Sequence, residues 1–160
     1  MGRREGRTDD PLVAFILARS CILAPDPVVA PEQAIRWAEQ AVASEQNAWY
    51  LHALGTAHYR AGHNDEAIRC LGESNTGVWG EDRKAQNRLV LAMAYQRLGE
   101  PTKARTLLNE VAEMWNAVES EKVDGAVSMP TTDWLPLQIY RREAEALIRD
   151  AGFPADPFAR

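Results

Sequence analysis

LHALGTAHYRAGHNDEAIRCLGES (Leu51–Ser74) and RLVLAMAYQRLGEPTKARTLLNEV (Arg88–Val111) are two versions of one pattern, and they align when the first is slid 37 residues along the chain. The slide pairs Leu54 with Leu91, Gly55 with Ala92, Gly62 with Gly99 and Ala67 with Ala104. Each copy carries apolar residues at helical spacing, breaks at a glycine and resumes, which predicts a hairpin of two helices. Gly62 and Gly99 suit the turn, where a positive φ costs glycine little. Gly55, Ala67, Ala92 and Ala104 are small enough to predict close approach of the paired helices, with Tyr59 and Tyr95 as amphipathic fillers. A chain of repeated hairpins is built to present a surface and need not enclose a reaction site.

Outward from these hairpins the chain reads as helices broken at short intervals. Helices are predicted over Leu12–Leu23, Pro31–Ser44, Ala48–Arg60, from Asn64 to near Gly72, over Arg83–Leu98 and Thr102–Ala117, and from Thr132 or Asp133 to about Ala151. The prolines between Pro25 and Pro31 end the first helix, because they cannot continue its hydrogen-bond ladder. Pro31 then suits the first turn of the second, whose Ala34, Ile35, Ala38, Ala41 and Val42 make one apolar stripe. Asn47 is a candidate N-cap for the third. DEAIRCL in the fourth helix repeats the phase of EQAIRWA in the second, 33 residues earlier, so three hairpins are counted, about 11–44, 47–74 and 83–117. Gly72 weakens the fourth helix, and Glu73 to Arg83 reads as an extended link. Residues 121–134 read as a loop, residues 132–151 as a closing helix, and residues 1–10 and 152–160 as tails around a helical domain of 11–151.

With 46% hydrophobic and 26% charged residues in 160, the chain has the composition of one globular domain. A net charge of -5 and a pI near 5.2 argue against a nucleic-acid or anionic-membrane binder. Cys21 and Cys70 are too few for a disulfide framework and lack ligand spacing, so a reducing, cytoplasmic setting is expected. Leu12–Leu23 is the most apolar run, but Arg19 interrupts it and it is too short to span a bilayer. Arg3, Arg4 and Arg7 precede it as they would in a signal peptide; Asp9 and Asp10 intervene and no small-residue cleavage site follows.

Leu54-Gly55, Tyr59, Gly62, Ala67 and Leu71, with Leu91-Ala92, Tyr95, Gly99, Ala104 and Leu108, resemble the signature of tetratricopeptide repeats. The resemblance covers about residues 11 to 117, with a partial third copy at Pro31–Ser44, and Thr132–Ala151 is similar to the solvating helix that often closes such arrays. It implies an all-α fold of antiparallel helical hairpins stacked as a short right-handed superhelix, acting in protein–protein interaction. NAWYLHALGTAHYRAGHNDEAI followed by LVLAMAYQRLGEPTKAR is similar, more loosely, to C-terminal tetratricopeptide regions of large planctomycete-type bacterial proteins, many of which carry a kinase or β-propeller upstream. Glycine-rich, HRD and DFG kinase motifs are absent from this sequence. The chain departs from the repeat consensus at His58, at Gly72, in the long link after Glu73 and in the proline-containing join of the first hairpin.

In arrays of this kind the first helix of each hairpin lines the concave face, which points to Trp49, His52, Thr56 and Tyr59 in one hairpin and Gln86, Leu89, Met93 and Gln96 in the next. The functional reading is a groove for an extended peptide or short helix, with Trp49, Tyr59, Leu89 and Met93 as apolar anchors and His52, Gln86 and Gln96 fixing backbone polar groups. The same residues can instead pack against neighbouring helices. The family's lysine–asparagine clamp for a C-terminal carboxylate is not reproduced, since His52, Thr56, Leu89 and Met93 stand at the matching places. Trp79, Trp115 and Trp134 fall near the irregular joins, where they either staple the links or form an interface patch for a second subunit or a neighbouring domain. That patch carries the alternative reading, a structural or self-association module of a larger protein. No catalytic, metal or cofactor role is expected: His52 and His58 face different sides of their helix and His63 lies in the turn. The acidic pairs Glu81-Asp82 and Glu119-Glu121 read as solvated charge.

Overall fold

The computed structural model describes residues 8–23, 25, 29–77, 80–120 and 131–149, with only the backbone of 81, 82, 117–120 and 131–133. All regular structure among them is α-helical, in seven helices. The chain divides into two compact units, Met1–Trp79 and Gly80–Arg160.

In the first unit, α1 (Pro11–Ile22) starts where Asp10 accepts from the Leu12 and Val13 amides and Pro11 takes the first turn. It buries Ala14, Phe15, Ala18 and Ile22, one stripe at helical spacing. α2 (Pro31–Ser44) opposes that stripe with Ala34, Ile35, Trp37, Ala38 and Ala41, and the alanines on both helices keep the pair close. α3 (Ala48–Arg60) begins at Asn47, whose side chain accepts from the Tyr50 amide at 3.0 Å, the cap expected from the sequence. α3 packs against α1, α2 and α4 (Asn64–Asn75), and so is buried on nearly every side.

Two polar ties fix the ends of α3. Arg60 Nε donates to the Ile22 carbonyl at 2.9 Å and its guanidinium also reaches the Leu23 carbonyl at 3.3 Å, satisfying the C-terminal end of α1. At the other end Ser74 Oγ of α4 donates to the Ala48 carbonyl at 2.8 Å. The α3–α4 turn is a Schellman motif: Gly62 has φ +82°, its amide donates to Tyr59 O at 3.1 Å, and the His63 amide donates to His58 O at 2.9 Å.

In the second unit, α5 (Glu81–Arg97) packs against α6 (Pro101–Ser120) and α7 (Thr131–Arg149). Ala104, Leu108, Val111 and Trp115 of α6 and Leu137, Tyr140, Ala144 and Ile148 of α7 are buried in three- and four-residue steps. The α5–α6 turn repeats the first: Gly99 has φ +76°, with its amide on Gln96 O at 3.2 Å and the Glu100 amide on Tyr95 O at 2.9 Å. The repeat seen in the sequence is thus a repeat of backbone geometry.

The helix order follows the sequence expectation, with shifts at the ends. α4 continues past the exposed Gly72 to Asn75, and α5 starts at Glu81, two residues before the expected Arg83. The non-helical link is correspondingly shorter than the Glu73–Arg83 stretch read as extended. α6 runs on to Ser120, and α7 begins at Thr131 and carries Pro136 inside, at the loss of one ladder hydrogen bond. Residues 1–7, 121–130 and 150–160, on which the tails and most of the long loop fall, lie outside the described residues. No helix among the described residues is long and apolar enough to cross a membrane.

Candidate functional site

The residues expected to line a groove are for the most part interior. In the first unit His52, Thr56 and Tyr59 are buried, and Thr56 Oγ1 is occupied by the His52 carbonyl at 2.9 Å. Trp49 stays half-exposed. Its ring stands edge-on to Phe15, with centroids 6.1 Å apart and planes at 81°, and the Arg19 guanidinium lies 5.2 Å from the ring centre. Trp49 therefore holds α1 against α3 through an aromatic pair and a cation–π contact, and what remains of its surface is open.

In the second unit Gln86, Leu89 and Met93 are buried on α5, as is Asn87, which the spacing did not single out. Gln96 is half-buried, and its Oε1 has no hydrogen-bond partner. Trp115 is buried on α6, with the Arg141 guanidinium of α7 5.2 Å from its ring centre and Arg141 Nε held by Glu145 at 3.1 Å. Trp134 is half-buried, with its indole Nε1 unpartnered, and Trp79 lies outside the described residues. Of the groove set, Trp49 and Gln96 are the two with accessible surface, one in each unit.

The apolar surface that does face outward lies on α1. Leu12, Val13, Ile16 and Leu17 are 56, 41, 52 and 36% exposed, and they form adjacent four-residue rows along one side of the helix. Asp9 and Asp10 mark one end of this face and Arg19 the other. Apart from Arg19 and Ser20 in its last turns the helix carries apolar residues on every side, so periodicity could not tell which side would be left open.

Chemistry that needs converging groups finds little material. Among the described residues no three His, Cys, Asp or Glu side chains gather as a metal cage. Burial pushes the Cys70 and Cys21 thiols up from their ordinary range, which suppresses the reactive thiolate. A groove of about 240 Å³ between Asn47, Leu51 and Glu73, and one of about 230 Å³ between Arg105, Leu108 and Ile148, each fall below the ~300 Å³ at which ligand pockets begin.

One pairing escaped the spacing argument. His58 at the end of α3 and His63 at the start of α4 bring their Nδ1 atoms to 3.4 Å, although five residues separate them. A Schellman turn places the side chain three residues before its cap beside the one two residues after it, and those positions are both histidine here. Burial, then the charge of His63, lowers the pKa of His58; Glu66 and Glu39 act in the opposite sense and Arg69 in the same.

No protein-family model, no curated protein and no solved structure matches this chain. The likeness to tetratricopeptide repeats is a reading of the sequence; the structure shows an all-α fold of sequentially packed helices.

Proposed function

We propose that the chain is a non-catalytic protein–protein interaction module of the tetratricopeptide type, and that it associates with a second copy of itself through α1. The observation that carries this is the open apolar face of Leu12, Val13, Ile16 and Leu17 on an otherwise well-packed unit. Antiparallel apposition of two such faces brings the Asp9–Asp10 end of one copy toward the Arg19 end of the other, whereas parallel apposition sets like charges together. A helix of 12 residues is about 18 Å long, so the face supplies less than the ~800 Å² per partner of a standard interface. The association is therefore weak and concentration-dependent. Light scattering on the native chain and on Ile16→Glu tests it: mass that rises with concentration in the first and stays monomeric in the second is the expected pair of results.

A second reading is an extended peptide or short helix bound at α3 of the first unit. The half-exposed Trp49 favours it, since its ring leaves an aromatic surface open beside the Phe15 and Arg19 contacts. Peptides selected on the immobilised chain should lose binding to Trp49→Ala while its melting curve stays cooperative. Selection of no sequence-related peptides would remove this reading. The loose likeness to regions of larger bacterial proteins, some kinase-linked, makes a neighbouring domain the other partner class.

A further inference from the structure

We propose that the groove between α6 and α7 seats one phosphoryl group carried on a peptide side chain, held by Arg105, Asn109 and Arg149. These three residues line it together with Leu108 and Ile148, around a volume of about 230 Å³. The groove belongs to the second unit and α1 to the first, so this site is independent of self-association through α1.

The two arginines differ from the other cations of their unit. Arg88, Lys103 and Arg141 each have a carboxylate beside them, from Glu110, Glu100 and Glu145. The guanidinium of Arg105 and the side-chain amide of Asn109 are exposed and have no hydrogen-bond or ion-pair partner among the described residues. Arg149 Nη1 stands 3.7 Å from Glu145 Oε1, beyond hydrogen-bond distance, and Arg141 Nε already donates to that oxygen at 3.1 Å. Two guanidiniums on two helices thus border one groove with donors to spare.

The chemistry of the lining selects the ligand. Two guanidiniums carry two positive charges, each in a planar fork of donors. A phosphorylated side chain matches them with a charge of about −1.5 to −2 and three acceptor oxygens, whereas a carboxylate brings one charge and two oxygens. Asn109 adds an uncharged donor. Leu108 and Ile148 are buried, so the groove has an apolar floor of low dielectric, which strengthens attraction to an anion above it. The volume is too small for a nucleotide, and a net charge of -5 opposes approach to an anionic membrane. Phosphoserine and phosphothreonine fit both limits.

Amide chemical shifts of the isotope-labelled 160-residue chain, followed as N-acetyl-phosphoserine methylamide is added at about pH 7.5, test this. The matching serine and glutamate compounds and inorganic phosphate are titrated in parallel. Saturable shifts centred on Arg105, Asn109 and Arg149 with a Kd of about 1–10 mM are expected for the phosphoserine compound, and at least about fivefold weaker binding for the other three. Arg105→Gln and Arg149→Gln should each weaken it at least about fivefold, and Arg36→Gln, at an exposed position of α2, should leave it unchanged. Both groove arginines are exposed, so glutamine at either position leaves the packing of the helices intact. Shifts that do not saturate by about 20 mM overturn the site, as does equal weakening by Arg36→Gln. Glutamate binding as tightly overturns the choice of a phosphoryl group, and inorganic phosphate binding as tightly overturns the peptide as its carrier.

Discussion

Gly55 of α3 and Leu71 of α4 compete for the space of one methyl group: a Cβ on Gly55 would stand 2.6 Å from Leu71 Cγ and 3.2 Å from the Ala67 carbonyl oxygen. The absence of a side chain at Gly55 is what lets the two helices of the first hairpin meet. Gly55→Ala is expected to cost about 1–3 kcal/mol in a denaturant melt, because the core must shift to admit the methyl group. In a Leu71→Ala background most of that cost should disappear; additive losses would place the clash elsewhere.

Gly72 has the opposite standing, since it lies inside α4 with nothing within 4 Å of an added Cβ. Gly72→Ala should therefore stabilise the chain by about 0.5–1 kcal/mol, through helix propensity alone. A loss of stability would mean that the helix does not run through to Asn75.

At the turns the cost is backbone strain. Gly62 and Gly99 have open space around them, yet their φ angles of +82° and +76° exclude most side chains. Gly62→Val should lose about 1–3 kcal/mol, and Gly62→Asn a good deal less, because asparagine tolerates the left-handed region. Equal losses in the two variants would point to crowding and away from φ.

Arg60 closes α1 from a distance of 38 residues, through its bond to the Ile22 carbonyl. Replacing it with methionine keeps the stem and removes the donors, so a loss of about 1.5–3 kcal/mol is expected, the range for hydrogen bonds from a charged group. A neutral result would show that water caps those carbonyls equally well.

The lowered pKa of His58 sets a pH dependence. The unfolded chain takes the proton more readily than the folded one, so the contribution of His58 is complete above its ordinary value near 6.5. It is lost as the pH falls below that value and through the depressed folded one. Thermal melts from about pH 8 to 5 should show this slope, and His58→Gln should flatten it. A slope unchanged in the variant assigns it to other groups.

Much of the architecture was legible because single residues carry it. Pro31 marks a helix start, Asn47 caps α3, and Gly62 and Gly99 mark turns by a conformation open to few other residues. Burial was less legible. Periodicity separates one face of a helix from the other, but α3 packs against three helices and α5 against two, so the residues opposite the expected core, His52, Thr56, Leu89 and Met93 among them, are interior as well. The His58–His63 pair was hidden because three- and four-residue spacing holds only within a helix; the signal lay in their positions around the turn glycine. On α1, where apolar residues fall on every side, sequence alone gave no way to name the open face.

The most direct test of the proposed function is the mass of the chain by light scattering after size exclusion, over about a hundredfold range of concentration, with Ile16→Glu alongside. Mass climbing from 17.8 kDa toward twice that value, and held at 17.8 kDa by the substitution, is the expected result. A native chain that stays at 17.8 kDa throughout, or a dimer that Ile16→Glu leaves intact, would contradict self-association through α1.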